Sequence, residues 1–114
     1  MLLIVDANVL IDYANTDPSV LTLVSRHIGQ IHVPSVVLEE VNQLNEEDCE
    51  SLGLTIQEEP LEILTAAAEK RGALSFEDYV CLLLAKENDW VCVSNDRPLH
   101  RACESEEVTV MWGL

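Results

Sequence analysis

Five short apolar runs, LLIV at Leu2–Val5, then QIHV, LTIQ, WVCV and VTVMW, alternate with stretches whose apolar residues recur at helical spacing. A strand that is always followed by a helix cannot pair with the next strand through a tight hairpin. Each connection becomes a crossover, so the strands lie parallel and the helices cover both faces of the sheet. The expected class is therefore α/β: a three-layer sandwich with a central, mostly parallel sheet flanked by helices. A chain of 114 residues with no internal repeat, low-complexity tract or linker is expected to form one domain over 1–114, large enough to enclose a single core. In such sheets ligands collect outside the carboxyl ends of the strands.

Local punctuation places the helices. One is predicted from about Ala7 to Ala14. In TDPSVLTLVSRHIG, Asp17 is a cap candidate, Pro18 a first helical residue and Gly29 a stop. PSVVLEEVNQL is read as a helix entered through Pro34 and Ser35, and PLEILTAAAEKRG as one begun by Pro60 and closed by Gly72. SFEDYVCLLLAKEN is apolar on nearly every face and should be central. NDRPLHRACE is a turn and short helix, whereas the acidic stretch around Cys49 is read as a connector.

Charge narrows the function. With 21 acidic residues against 6 basic ones the net charge is −15, and no Lys or Arg stands between Arg26 and Lys70. Such a surface repels nucleic acid at long range and suits a basic partner, a salt-rich cytoplasm or bound cations, although solubility alone also accounts for it. No basic region precedes the first apolar run, which Asp6 and Asp12 interrupt, and no apolar stretch approaches the ~18 residues of a membrane span. A cytoplasmic protein with no membrane association is expected. Cys49, Cys81, Cys92 and Cys103 form no C-x-x-C pair, and His27, His32 and His100 stand at no zinc spacing from them. Reduced thiols are expected rather than disulfides or a zinc site.

The carboxylates need individual weighing. Asp6 directly follows the first strand, where it can cap the helix behind it through Asn8 or Val9 N–H. Asp96 repeats that setting: apolar strand, Ser94 and Asn95, aspartate, helix. Within PSVVLEEVNQL, Glu39 falls on the polar side of a helical wheel. Glu40 is spaced four residues from Val36 and from Leu44 and is predicted to point partly inward, which is costly for a carboxylate unless it is paired or bound to a cation. Asp78 fits a capping box with Ser75 and also faces inward over Cys81, Leu82 and Ala85; periodicity does not separate it from Glu77. Four acids, each at or near the start of a helix after a strand, make a cluster plausible, and within a few ångströms they would raise one another's pKa values unless a cation intervened. All-oxygen ligation selects a hard ion, Mg²⁺ or Mn²⁺.

These stretches resemble PIN domains, the metal-dependent ribonuclease family that includes the VapC-type toxins of toxin–antitoxin pairs. The resemblance runs essentially from end to end. It rests on LLIVDANVLI, similar to the family's opening D-x-N/S/T-V-L-I, on VPSVVLEEV, on LSFEDYVCLLLAKEN and on VCVSNDRPLHRAC, similar to a closing T-x-D-x-x-L stretch. It implies catalysis and metal ligation by Asp6, Glu40, Asp78 and Asp96, with Asn8 and Ser94 orienting those carboxylates. Ser94 stands where threonine is more usual and keeps the hydroxyl. The implied activity is a Mg²⁺- or Mn²⁺-dependent endoribonuclease that cleaves RNA phosphodiesters with a metal-activated water. An antitoxin protein is the implied partner, and a homodimer is compatible with the fold. Basic residues are few, but Arg97 and Arg101 share a helix face beside Asp96 and are expected to contact substrate phosphates. The alternative is a PIN-like domain with weak or no catalysis serving as a binding or regulatory module, which the sparse basic surface favours.

Overall fold

The computed structural model describes residues 2–70, 72 and 74–113. Strands form at the five apolar runs: β1 (Leu2–Val5), β2 (Gln30–Pro34), β3 (Thr55–Gln57), β4 (Val91–Val93) and β5 (Val110–Met111). Between them run α1 (Ala7–Thr16), α2 (Ser19–His27), α3 (Ser35–Glu40), α4 (Glu46–Leu52), α5 (Leu61–Glu69), α6 (Phe76–Asn88) and α7 (Arg97–Ser105). The sheet order is β3-β2-β1-β4-β5 and every pairing is parallel, so the expected mostly parallel sheet is parallel throughout.

That order determines where the helices go. As the chain steps from β1 to β2 to β3, right-handed crossovers lay α1 to α4 over one face; on its return through β4 to β5 they lay α5 to α7 over the other. The packing agrees: α2 and α3 lie on β2, α5 lies on α6, and α6 lies on β1 and β4. The direction of travel reverses between β1 and β4, which opens a crevice at their carboxyl ends. Covered on both faces, β1 buries Leu3, Ile4 and Val5 in succession. The expected central helix is α6, which buries Val80, Cys81, Leu82, Leu84 and Ala85. Each fully buried leucine there contributes on the order of 1.5–3 kcal/mol.

Some boundaries differ from the sequence reading. Helix α3 stops at Glu40, because Val41 turns to extended backbone (φ −99°, ψ 92°), yet Val41 and Leu44 still bury themselves from the irregular segment that follows. The acidic stretch around Cys49 is α4 rather than a connector. Its apolar signal is only Cys49 and Leu52, but Asn45 and Asp48 close a reciprocal capping box and Gly53 ends the helix at φ +80°. Helix α2 begins at Ser19, with Pro18 in the cap position and the Asp17 carboxylate accepting from the Ser19 N–H. Helix α5 ends at Glu69, before the expected stop at Gly72. All four cysteines are buried free thiols. No described helix is long and apolar enough to cross a membrane.

Candidate active site

The reversal crevice is where the acids meet. The β1–β4 register pairs Val5 with Val93, so Asp6 and Ser94 emerge side by side from the two strands. Asp6 is 2% exposed. One of its oxygens accepts from the Val9 N–H at 3.0 Å, capping α1, and the other accepts from the Ser94 hydroxyl at 2.5 Å. The same hydroxyl oxygen accepts from the Asp96 N–H at 2.9 Å. Asp96 in turn caps α7, accepting from the Leu99 N–H at 3.1 Å. Capping does not exhaust either carboxylate: each aspartate spends one oxygen on its helix and retains acceptor capacity. Ser94 is fully buried, and its hydroxyl ties the two carboxylate-bearing elements together.

Asp78 arrives from the opposite layer, in the first turn of α6, where its N–H donates to the Ser75 hydroxyl. Its carboxyl is pushed up to about 6 by burial first, then by the charges of Asp6 and Asp96. Asp6 is likewise raised, by burial first and by Asp96, against the lowering pull of its Ser94 and Val9 hydrogen bonds. Asp6 and Asp96 are the caps of α1 and α7 and Asp78 lies in the first turn of α6, so the partial positive charge of three helix amino termini offsets some of the repulsion.

Glu40 completes the group at its rim. Its carboxyl is raised to about 7 by local desolvation, then by a hydrogen bond to Glu77 and by the charges of Glu77 and Asp78. The residue as a whole is exposed, not turned into the core as the helical wheel suggested, because α3 ends there. Solvent blunts the desolvation, so the Glu77 contact is the firmer cause. Glu77, which periodicity left undecided against Asp78, is therefore a fifth acid at the crevice. The carboxyl–carboxyl contact that reveals it depends on the end of α3, which no spacing rule fixes. Asn8 is exposed, and no hydrogen bond joins its side chain to these carboxylates; Ser94 alone makes the orienting bond anticipated for the pair. Arg97 and Arg101 are exposed on α7, and neither forms an ion pair with a described residue. Between them His100 is buried, its Nε2–H donating to the Ser94 carbonyl at 2.6 Å while its ring stacks on Trp112.

The donor set suits a hard divalent ion: carboxylates and one hydroxyl, with the nearby Cys81 thiol held neutral by burial and by the charges of Asp6 and Asp78. Among the described residues no three His, Cys, Asp or Glu stand close enough to hold a metal ion as they are. An apolar cavity of about 200 Å³ borders the same strand ends, lined by Val5, Val9, Val93, Met111 and Trp112 among others, and no carboxylate lines it.

Solved structures share this arrangement of strands and helices. A PilT N-terminus domain protein, SSO1118 from the archaeon Sulfolobus solfataricus, superposes with a TM-score of 0.70 at 10% identity, covering 98% of this chain and 87% of its own. The fold is that of a PIN domain. VapBC2 from Rickettsia felis, solved bound to a DNA fragment from their promoter, matches at a TM-score of 0.65 and 18% identity over 98% of both chains. PAE2754 from Pyrobaculum aerophilum matches at 0.63 and 18%, covering 95% of this chain and 81% of that one. No protein-family profile and no curated protein matches the chain. At these identities the likeness establishes the PIN fold, with its crevice at the β1–β4 reversal, and leaves activity to the residues themselves.

Proposed function

We propose that this PIN-fold protein is a Mg²⁺- or Mn²⁺-dependent endoribonuclease acting in the cytoplasm, the toxin of a toxin–antitoxin pair. The observation that carries the reading is the placement of Asp6, Asp78 and Asp96, each in the cap or first turn of its own helix, around one crevice where the charges of Asp6 and Asp96 reach Asp78 and that of Asp96 reaches Asp6. These three with Glu40 would hold the ion. Bound there, a divalent ion supplies charge neutralisation and polarises a water for attack on a phosphodiester. The protein's own part is orientation: the Ser94 hydroxyl and the Val9 N–H hold Asp6 in one rotamer, so that its position does not depend on the ligand. Neutralising the acids would also let a polyanion approach a chain of net charge −15. Arg97 and Arg101 would meet its phosphates; replacing both with Gln is expected to weaken RNA binding and flatten its salt dependence, and unchanged affinity would remove them from the site. The VapBC2 neighbour, bound to promoter DNA, supports the toxin–antitoxin setting. The test is cleavage of RNA by purified protein with Mn²⁺. Activity should vanish in Asp6→Asn, and equal activity in that variant would trace the cleavage to a contaminant.

A second reading, a binding or regulatory module with weak or no catalysis, is favoured by the acidic surface and by the spread of the carboxylates. Stabilisation by Mn²⁺ without any RNA cleavage would select it.

A further inference from the structure

Ser94 stands one residue beyond β4, and its main chain is held on both sides. Its N–H donates to the Met111 carbonyl of β5 at 3.0 Å, and its own carbonyl accepts from His100 Nε2–H at 2.6 Å. A carbonyl can only accept, so the bond itself assigns the proton to Nε2. With both backbone groups fixed, the hydroxyl is aimed: it donates to the Asp6 carboxylate at 2.5 Å, and its oxygen accepts from the Asp96 N–H at 2.9 Å.

The histidine is itself fixed. Its backbone N–H donates to the Asp96 carbonyl at 3.0 Å, its side chain is buried, and the Trp112 indole lies on the imidazole with centroids 3.7 Å apart and planes 18° from parallel. Trp112 also lines the apolar cavity with Val5, Val9 and Val93. Gly113 behind it is pressed against Val9 and Asn95, where a Cβ would sit 2.8 Å from the Val9 side chain. The imidazole is thus held by α7 from one side and by the chain after β5 from the other. Burial alone requires that such a ring find a hydrogen-bond partner, but it does not choose which. His32 offers the contrast: half-buried and stacked on Trp90 at 4.7 Å, it meets a side chain of the neighbouring strand, Gln57 Oε1, at 3.2 Å. His100 instead grips the backbone of the residue whose hydroxyl reaches both Asp6 and Asp96.

We propose that His100 is a positioning residue of the acidic crevice: through the Ser94 carbonyl it holds the hydroxyl that sets Asp6 and Asp96 for a divalent cation. This rests on the metal-dependent reading above and adds to it a residue that touches neither the ion nor a phosphate. Groups that orient metal-binding carboxylates from behind tune affinity without ligating. The imidazole acts at one further remove. Loss of its N–H should therefore cost metal affinity only where Ser94 has a hydroxyl to aim.

The experiment is calorimetric titration of the full chain with Mn²⁺ above pH 7. His100→Phe keeps a ring against Trp112 but loses the donor, and affinity should fall about tenfold. His100→Gln, whose amide N–H can donate to the same carbonyl, should recover most of it; His100→Met, with the shape of Gln and no donor, should not. In a Ser94→Ala background the Phe change should alter affinity by less than about twofold, because no hydroxyl remains to be aimed. Metal-free protein gives a second readout. Hydrogen exchange at the Asp96 N–H should quicken in the Phe and Met variants and stay slow in Gln, with the Val80 amide of α6 unchanged. If the wild type binds Mn²⁺ and the Phe and Met variants bind it equally well, the positioning role is refuted and the metal reading survives. A Gln variant as weak as Met, or equal losses with and without the Ser94 hydroxyl, would mean that the ring only packs, and would overturn the proposal. Should His100→Phe fail to fold, the Gln and Met pair decides between the same outcomes. A wild type that takes up no Mn²⁺ removes both readings.

Discussion

Asp6 lies buried at the end of β1 with a backbone N–H on one oxygen and the Ser94 hydroxyl on the other, whereas Glu40 stands exposed at the end of α3 with another acid, Glu77, beside it. The two carboxylates serve one crevice by different physics. The floor, Asp6 with Ser94 and Asp96, is oriented by neutral donors. The rim, Glu40 with Glu77, lacks such donors among the described residues, and its Glu40 carboxyl is raised by desolvation and by the neighbouring acids Glu77 and Asp78. Changes to the floor should therefore act on chemistry, and changes to the rim on affinity and pH dependence.

The largest effect is expected at the floor. Asp6→Asn keeps the cap of α1, since Asn caps as well as Asp, but removes a full charge from the buried position. Mn²⁺-dependent cleavage should vanish, with the circular dichroism spectrum unchanged; a comparable loss on changing the solvated Glu39 would erase the distinction between floor and surface. Ser94→Ala comes next. It frees one Asp6 oxygen and the Asp96 N–H together, and metal affinity by calorimetric titration should drop about 10–100-fold. Leaving the Asp6 oxygen without its donor should also cost roughly 1–3 kcal/mol of stability in denaturant unfolding.

The rim predicts a pH effect of unusual sign. Glu40 rises from 4.5 to about 7 and Asp78 from 3.8 to about 6 on folding. The native protein therefore binds more protons than the unfolded chain across that window, and metal-free stability should fall as pH climbs from about 4 to about 7. Glu40→Gln should flatten the slope of Tm against pH at its upper end, while leaving the Asp78 contribution in place. A slope that survives Glu40→Gln unchanged would place its origin in the overall charge. The smallest effect is Glu77→Gln, which relieves the repulsion on Glu40 and should stabilise the metal-free protein above pH 7 by about 0.5 kcal/mol, the scale of an exposed charge pair.

The floor was legible in the sequence and the rim only partly so. Asp6 and Asp96 repeat one local pattern, a strand followed by small polar residues, an aspartate and a helix. That pattern needs nothing from the rest of the chain, because parallel strands deliver their carboxyl ends to one edge. Glu40 was selected on a wheel that ran to Leu44, while α3 actually ends at Glu40. The inward direction expected for Glu40 is not seen, and the wheel misled because Val41 and Leu44 are buried through irregular backbone that mimics a helical face. Helix α4 was hidden for the opposite reason: a capping box and a terminal glycine sustain it on only two apolar residues. Trp112 gave no local signal at all. Its position depends on the register of β5 against β4, a long-range pairing that no window of sequence contains.

The central claim, that one divalent ion relieves the repulsion of these acids, is tested most directly by thermal unfolding against Mn²⁺ concentration above pH 7. The wild-type Tm should rise steadily with free Mn²⁺, by the equivalent of about 2.7 kcal/mol at a hundredfold excess over Kd, and the rise should disappear in Asp96→Asn, whose Asn still caps α7. A flat wild-type response, or an equal rise in the variant, would contradict it.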